Sequence, residues 1–172
     1  ANRYFIDDVT TRMADLGVTV AGFFSTSAGE AMLYLNEQER DRTSVLIDMG
    51  YLNTEIIGVE GDAIIYQKVL NVGGGDIAVA LADGLDINLE AAEDIKRSFV
   101  YGIDSADEKY EATQGDKTVS FTREQVKPII CKAVDEIASE IKEAIDNDFG
   151  NLGSWSSVFM TGGGLSFNRG GK

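Results

Sequence analysis

Four groups of residues in this chain have types and spacing that could do chemistry. Asp48 ends a short apolar run, Val45-Leu46-Ile47, and is followed closely by Gly50, Asn53 and Thr54. A carboxylate at the carboxyl end of a buried strand, beside glycine and small hydroxyl or amide residues, faces the place where nucleotide-binding sheets hold phosphate and metal. An ordinary hairpin loop capped by Asp48 accounts for the same residues. Gly162-Gly163-Gly164 directly follows the apolar run from Ser157 to Met160. Glycines in that position let a backbone approach a ligand that any side chain would hold off. Gly73-Gly74-Gly75-Asp76 suits an anion at a helix N-terminus, and a sharp strand-to-helix turn explains it as well. Glu93 and Lys96 stand one helical turn apart, which by default is a solvated ion pair.

Composition limits what these groups can do. Histidine is absent, so Ser-His-Asp, Cys-His and His-ligated metal chemistry are excluded, and any catalysis would rest on carboxylates, backbone amides and a bound metal. Fifteen basic residues against 29 acidic ones give a net charge of -14 with no offsetting basic patch. Such a surface repels phosphate backbones and anionic lipids, so neither nucleic acid nor direct membrane contact is expected. No apolar run has the length of a membrane span, no signal peptide is visible, and the single Cys131 allows no internal disulfide. These features point to the cytoplasm. The 172 residues suit one domain, or one with a small insertion.

The elements that must position these groups follow from periodicity. Asn2 caps a helix with an apolar face of Phe5 or Ile6, Val9, Met13 and Leu16, and Gly17 stops it. Residues 18–24 read as a buried strand, Ser25 to Ser27 as caps of a second helix, and 36–43 as a loop. Residues 44–71 read as a three-stranded antiparallel meander with Val45 to Ile47 its most buried strand. Its second turn is the Glu60-Gly61-Asp62-Ala63 hairpin. A helix opens at Gly73 to Asp76, and Asn88 caps another whose buried stripe is Leu89, Ala92, Ile95 and Phe99. Residues 109–112 and 118–121 suggest a small, mostly exposed hairpin. Thr122 and Gln125, at capping-box spacing, start the longest helix, which Pro128 should kink or restart. Trp155 falls in a loop, and residues 157–160 read as a buried strand. The start without methionine and the stop soon after a glycine run suggest an excised piece of a longer protein.

Taken in order, these pieces resemble the second half of the actin-like ATPases, most closely the FtsA cell-division family. VLIDMGYLNTEIIGVEGDAIIYQKVLNVGG is similar to the family's phosphate-2 hairpin, ALADGLDINLEAAEDIKRSF to its helix pair with Glu-x-x-Lys, and SVFMTGGGLS to its adenosine loop. The resemblance implies an α/β, ribonuclease H-like half-molecule. Residues 1–86 with 152–172 would form a sheet flanked by helices, and residues 87–151 an inserted α+β subdomain. It implies ATP with Mg2+ as ligand: Asp48 acting on the metal through water, Gly50 and Thr54 at the phosphates, Glu93 and Lys96 at the adenosine, and Gly162, Gly163 and Gly164 beneath base and ribose. The chain departs from the family at Tyr51 and Leu52, where glycines are usual. As partners the resemblance implies the C-terminal peptide of FtsZ on the inserted subdomain, self-association into actin-like filaments, and membrane attachment through a segment not present here. At most weak ATP hydrolysis is implied for the intact protein, and none for this piece alone. A pilus-assembly adaptor of the PilM type and a sugar or acid kinase share the same fold and stand as alternatives.

Overall fold

The computed structural model describes residues 2–102, 108–149 and 157–165, and Trp155 lies outside them. The chain divides into two compact units, Ala1–Leu35 and Asn36–Lys172. In the first, Asn2 caps helix α1 (Arg3–Asp15) by accepting from the Tyr4 amide, and α2 (Thr26–Tyr34) follows Ser25. Here two expectations are corrected. Helix α1 buries none of its residues, so its apolar stripe is not core. Residues 18–24 form no strand. β-propensity alone does not make a strand, because the ladder needs a neighbour, and no described residue pairs with this segment.

The second unit begins with a short helix, α3 (Glu37–Arg40), where a loop was expected. The signal was local: Asn36 Oδ1 accepts from the Glu39 amide and Glu39 reaches back to the Asn36 amide, a complete capping box. The meander then forms as its pattern dictates, with β1 (Ser44–Met49), β2 (Thr54–Glu60) and β3 (Ala63–Leu70). Glu60 pairs with Ala63 across Gly61 and Asp62, at φ 58° and 61°. Two left-handed residues in succession match the right-handed twist of the strands. Strand β6 (Ser157–Thr161) joins the other side of β1 in parallel, giving the order β3-β2-β1-β6.

β1 is flanked on both sides, and Val45, Leu46 and Ile47 are at most 2% exposed. β3 alternates between exposed and half-buried residues. β6, expected to be buried, is paired on one side only among the described residues and leaves Val158 and Met160 about half exposed. This topology decides where the chemistry can sit. β2 runs antiparallel to both β1 and β3, and β6 runs parallel to β1. The carboxyl ends of β1, β3 and β6 therefore lie along one edge of the sheet, and each of the three is followed by glycines.

Five further elements build a core with the face carrying Val45, Ile47 and Met49. They are helices α4 (Gly74–Leu85), α5 (Leu89–Ser98) and α6 (Arg123–Phe149), with the hairpin β4 (Lys109–Gln114) and β5 (Lys117–Thr122). One core runs from these strands through Ile77 and Leu81 to Ile95, Phe99, Val126, Ile130 and Ile137, so residues on both sides of position 86 share it. The hairpin is not mostly exposed as expected, because Tyr110 and Ala112 turn one of its faces into this core. Pro128 does not restart α6, which is continuous through it. Proline forfeits only its own amide bond, and the helix has 21 residues beyond it to hold its course.

Candidate functional site at the glycine edge of the sheet

The end of β1 meets the start of α4 and the turn after β6 with almost no space between their backbones. Asp48 lies opposite Thr161 in the parallel ladder, so Gly162 follows directly beside its carboxylate. A Cβ on Gly162 would strike Met49 O and Asp48 Oδ1, and its φ of 107° is left-handed as well. Gly164 is equally confined by the Gly50 and Met49 carbonyls, and a Cβ on Gly74 would come within 2.9 Å of Gly164 Cα. Only residues without a side chain can occupy such positions. Gly163 is different, since a Cβ there would meet nothing within 4 Å.

The first amides of α4 are already engaged. Gly74 N–H donates to Gly50 O at 2.9 Å, Gly75 N–H to Tyr51 O at 2.7 Å, and Gly73 N–H to Asp76 Oδ2 at 2.7 Å. These bonds satisfy the donors that a helix start leaves over. Of the two readings of Gly73 to Gly75, the sharp turn is therefore the one realised in this structure. The 50–53 loop is closed by Gly50 N–H donating to Asn53 O at 2.8 Å. Thr54 is fully buried, and its hydroxyl donates to Val72 O at 2.7 Å, tying the meander to the approach of α4. Asp48 is half-buried, and its carboxylate makes no hydrogen bond or ion pair with any described residue.

Glu93 and Lys96 are not a solvated pair. The Lys96 side chain is 8% exposed, its Nζ lies 2.7 Å from Glu93 Oε2, and it donates to Gly74 O at 2.8 Å. The Tyr51 ring covers it, with its centroid 4.8 Å from Nζ. The reason lies in the helix geometry. Lys96 falls four residues after Ala92 and three before Phe99, which puts it on the buried face. It was the expected stripe residue Leu89 that turned outward, at 49% exposed, while Ala91 took an inner place. Glu93 Oε1 also receives Arg97 Nε at 3.0 Å. Burial pushes the Glu93 carboxyl up, but Lys96 and Arg97 outweigh it and hold the group below its ordinary value of 4.5. Tyr51 moves the other way: partial burial, the Glu93 charge and a hydrogen bond to Glu93 raise its hydroxyl, with Arg97 opposing.

The structure thus brings Asp48, Gly50, Gly162, Gly163 and Gly164 to one junction. Lys96 and Glu93 join it through Gly74 and Tyr51, and Thr54 sits behind it with its hydroxyl spent inside the fold. Sequence reading missed Gly74 O as the acceptor for Lys96 and Tyr51 as its cover. The Gly73-Gly74-Gly75-Asp76 run marked the helix start, but no local pattern marks an aromatic ring that meets a helix some forty residues on. An apolar groove of about 90 Å³ opens nearby between the sheet, α4 and α6, lined by Met49, Ile77, Ile137 and Met160 among others. Its lining carries no ionisable side chain, which makes it unsuited to phosphate.

The edge chemistry has one feature a magnesium nucleotide requires, a carboxylate without a protein partner beside a backbone floor that excludes side chains. No cluster of three metal-ligating side chains exists among the described residues. A lone Asp48 suits a cation held through water rather than by an all-protein cage.

Comparison with known proteins bears on this arrangement. The family model of the cell division protein FtsA matches residues 45–168. MreB5 of Spiroplasma citri bound to ADP superposes with a TM-score of 0.72 at 14% identity, over 97% of this chain and 56% of that one. The PilM-PilN type IV pilus biogenesis complex gives 0.60 at 23% identity, over 86% and 37%. The archaeal actin homolog Ta0583 in complex with ADP gives 0.62 at 19%, over 86% and 46%. The fold is therefore that of the actin-like ATPases, and the chain spans about half the length of these solved relatives, or less.

Proposed function

Because the chain belongs to the FtsA family of cell-division proteins, we propose that it supplies the nucleotide floor and a partner-docking surface of an actin-like adaptor linking the FtsZ ring to the membrane. The observation that carries the nucleotide part is the convergence of Gly50, two glycine runs and the unpartnered Asp48 carboxylate at one sheet edge. In this reading Gly162 to Gly164 pass beneath base and ribose, Gly50 lies near the phosphates, and Glu93 and Lys96 border the adenosine. Asp48 orients the water shell of a Mg2+, whose charge offsets that of the phosphates. Thr54 serves the fold through Val72 rather than the ligand. ATP acts as a structural ligand with slow or no turnover, since side chains at Tyr51 and Leu52 and the engaged amides of α4 leave few backbone donors for a terminal phosphate.

Residues 87–151 provide the docking surface, and its occupant is the C-terminal peptide of FtsZ or a similar short peptide. With a net charge of -14 the chain favours a peptide carrying basic residues. The protein works in the cytoplasm, assembles into filaments, and reaches the membrane through a segment outside this chain. No described helix is long and apolar enough to cross one. The pilus-adaptor and kinase alternatives rest on the shared fold alone.

The test is equilibrium binding by the protein at its full natural length. ATP should bind more tightly with Mg2+ than without, Asp48→Ala should remove that difference, and added salt should weaken the peptide. Affinity for ATP that ignores both Mg2+ and Asp48→Ala would overturn the assignment of Asp48.

A further inference from the structure

Glu93 and Lys96 are enclosed in this structure, and the residue that completes their enclosure is Tyr51. Of the three donors on Lys96 Nζ, one goes to Gly74 O at 2.8 Å, and Glu93 Oε2 stands 2.7 Å away. The Tyr51 ring covers the same ammonium at 4.8 Å. Glu93 Oε1 is taken by Arg97. Its Oε2 is shut off from solvent and ion-paired with Lys96, and a carboxylate oxygen has a further lone pair to offer.

The cover itself is loosely held. Tyr51 is 44% exposed, and what anchors it is its backbone, through Gly75 N–H to Tyr51 O at 2.7 Å. Rotation about its side-chain bonds would lift the ring off Lys96 and leave the Gly50–Gly74 and Gly75–Tyr51 bonds intact. A cation–π contact at a part-exposed site is weak enough for a ligand to displace. What the ring uncovers is a buried carboxylate oxygen with unused acceptor capacity and an ammonium. That pair suits a hydroxyl-bearing, electron-rich ligand such as the sugar and base of a nucleotide.

We propose that Tyr51 is a displaceable cover over Glu93 and Lys96, a positioning residue that competes with the nucleotide for these two side chains. This rests on the nucleotide reading above and adds to it the step that limits access. The closed arrangement is then the empty one, and the bound nucleotide holds Tyr51 outward. The tyrosine lowers affinity in return for keeping a buried ion pair satisfied when no ligand is present.

The experiment compares MgATP affinity of the full-length protein with that of Tyr51→Ala and Tyr51→Phe, and records each melting temperature without nucleotide. Tyr51→Ala should bind about fivefold tighter, the scale of one lost cation–π contact, while melting lower than the parent. Tyr51→Phe keeps the ring over Lys96 and loses the hydroxyl beside Glu93, so its affinity should fall between the two. A purely structural tyrosine would lower melting temperature and affinity together. Equal or weaker binding by Tyr51→Ala overturns the proposal, and Tyr51→Phe decides the matter if the alanine variant does not fold. Should parent and variants all fail to bind MgATP, the nucleotide reading itself falls, and the cover with it.

Discussion

Lys96 and Arg123 are two buried cations held by the same three kinds of partner, and they differ in what lies above them. Lys96 has Glu93, the Gly74 carbonyl and the Tyr51 ring. Arg123, at the first position of α6, has Glu108 at 2.8 Å, the Val100 carbonyl at 3.0 Å and the Phe99 ring at 4.7 Å, with the Tyr110 hydroxyl at 2.7 Å besides. Phe99 is fully buried and Tyr110 nearly so, whereas Tyr51 is largely open to solvent. Around Arg123 burial and Glu108 push the Tyr110 hydroxyl up to about 12, so it stays protonated while accepting from the guanidinium. Both aromatic partners there face inward. A network covered in this way fixes architecture, here the joining of α5, β4 and α6. The network with an exposed lid sits at the glycine edge, where a ligand can reach it.

The comparison breaks first at Arg123. Arg123→Met should destabilise by about 3 kcal/mol, the low end for losing one member of a buried pair, because Glu108 keeps 27% exposure and can recover some hydration. Chemical denaturation reads this, and a loss within experimental error would show that the network is not a clamp. Arg123→Lys should recover little of it, since an ammonium cannot reproduce the planar fork that meets Glu108, Tyr110 and Val100 together.

Lys96→Ala sharpens the contrast with a smaller cost, about 1.5–3 kcal/mol for a charged hydrogen bond lost from a buried site. Arg97 remains to pair with Glu93. The same cluster carries a pH signature. Glu93 titrates below its ordinary 4.5 in the folded chain, so its contribution is fully present above that value and lost as pH falls through the lower folded one. Lys96→Ala should shrink this acid loss, and an unchanged acid limb in denaturation measured across pH would show that Lys96 does not set the Glu93 charge.

Local pattern accounts for much of the fold. The Gly61-Asp62 turn, the caps at Asn2 and Asn88, and the burial of Val45 to Ile47 all follow from residues near one another in sequence. Apart from α3, whose capping box was local, the main misreadings share one cause, dependence on a distant partner. Residues 18–24 have strand composition and no pairing neighbour among the described residues, and β6 is half open for want of a second one. Lys96 looked solvated because its acceptor, Gly74 O, lies on another helix. Arg123 gave no sign at all, although the Thr122–Gln125 cap beside it was legible and forms, with Thr122 N–H donating to Gln125 Oε1 at 2.9 Å. At the site, the glycine runs were visible in the chain. That they lock into one another, leaving only Gly163 open, depends on the parallel run of β1 and β6.

That open position gives the most direct test of the glycine edge as a nucleotide floor. Gly163 is not left-handed, and a Cβ there meets no atom within 4 Å, so Gly163→Val should fold as the parent does and melt at nearly the same temperature without ligand. MgATP binding, measured by titration on the full-length protein, should weaken at least tenfold, about 1.4 kcal/mol, because the added methyls stand where the ligand would lie. Undiminished affinity in a normally folded Gly163→Val protein would contradict the account and place any nucleotide elsewhere.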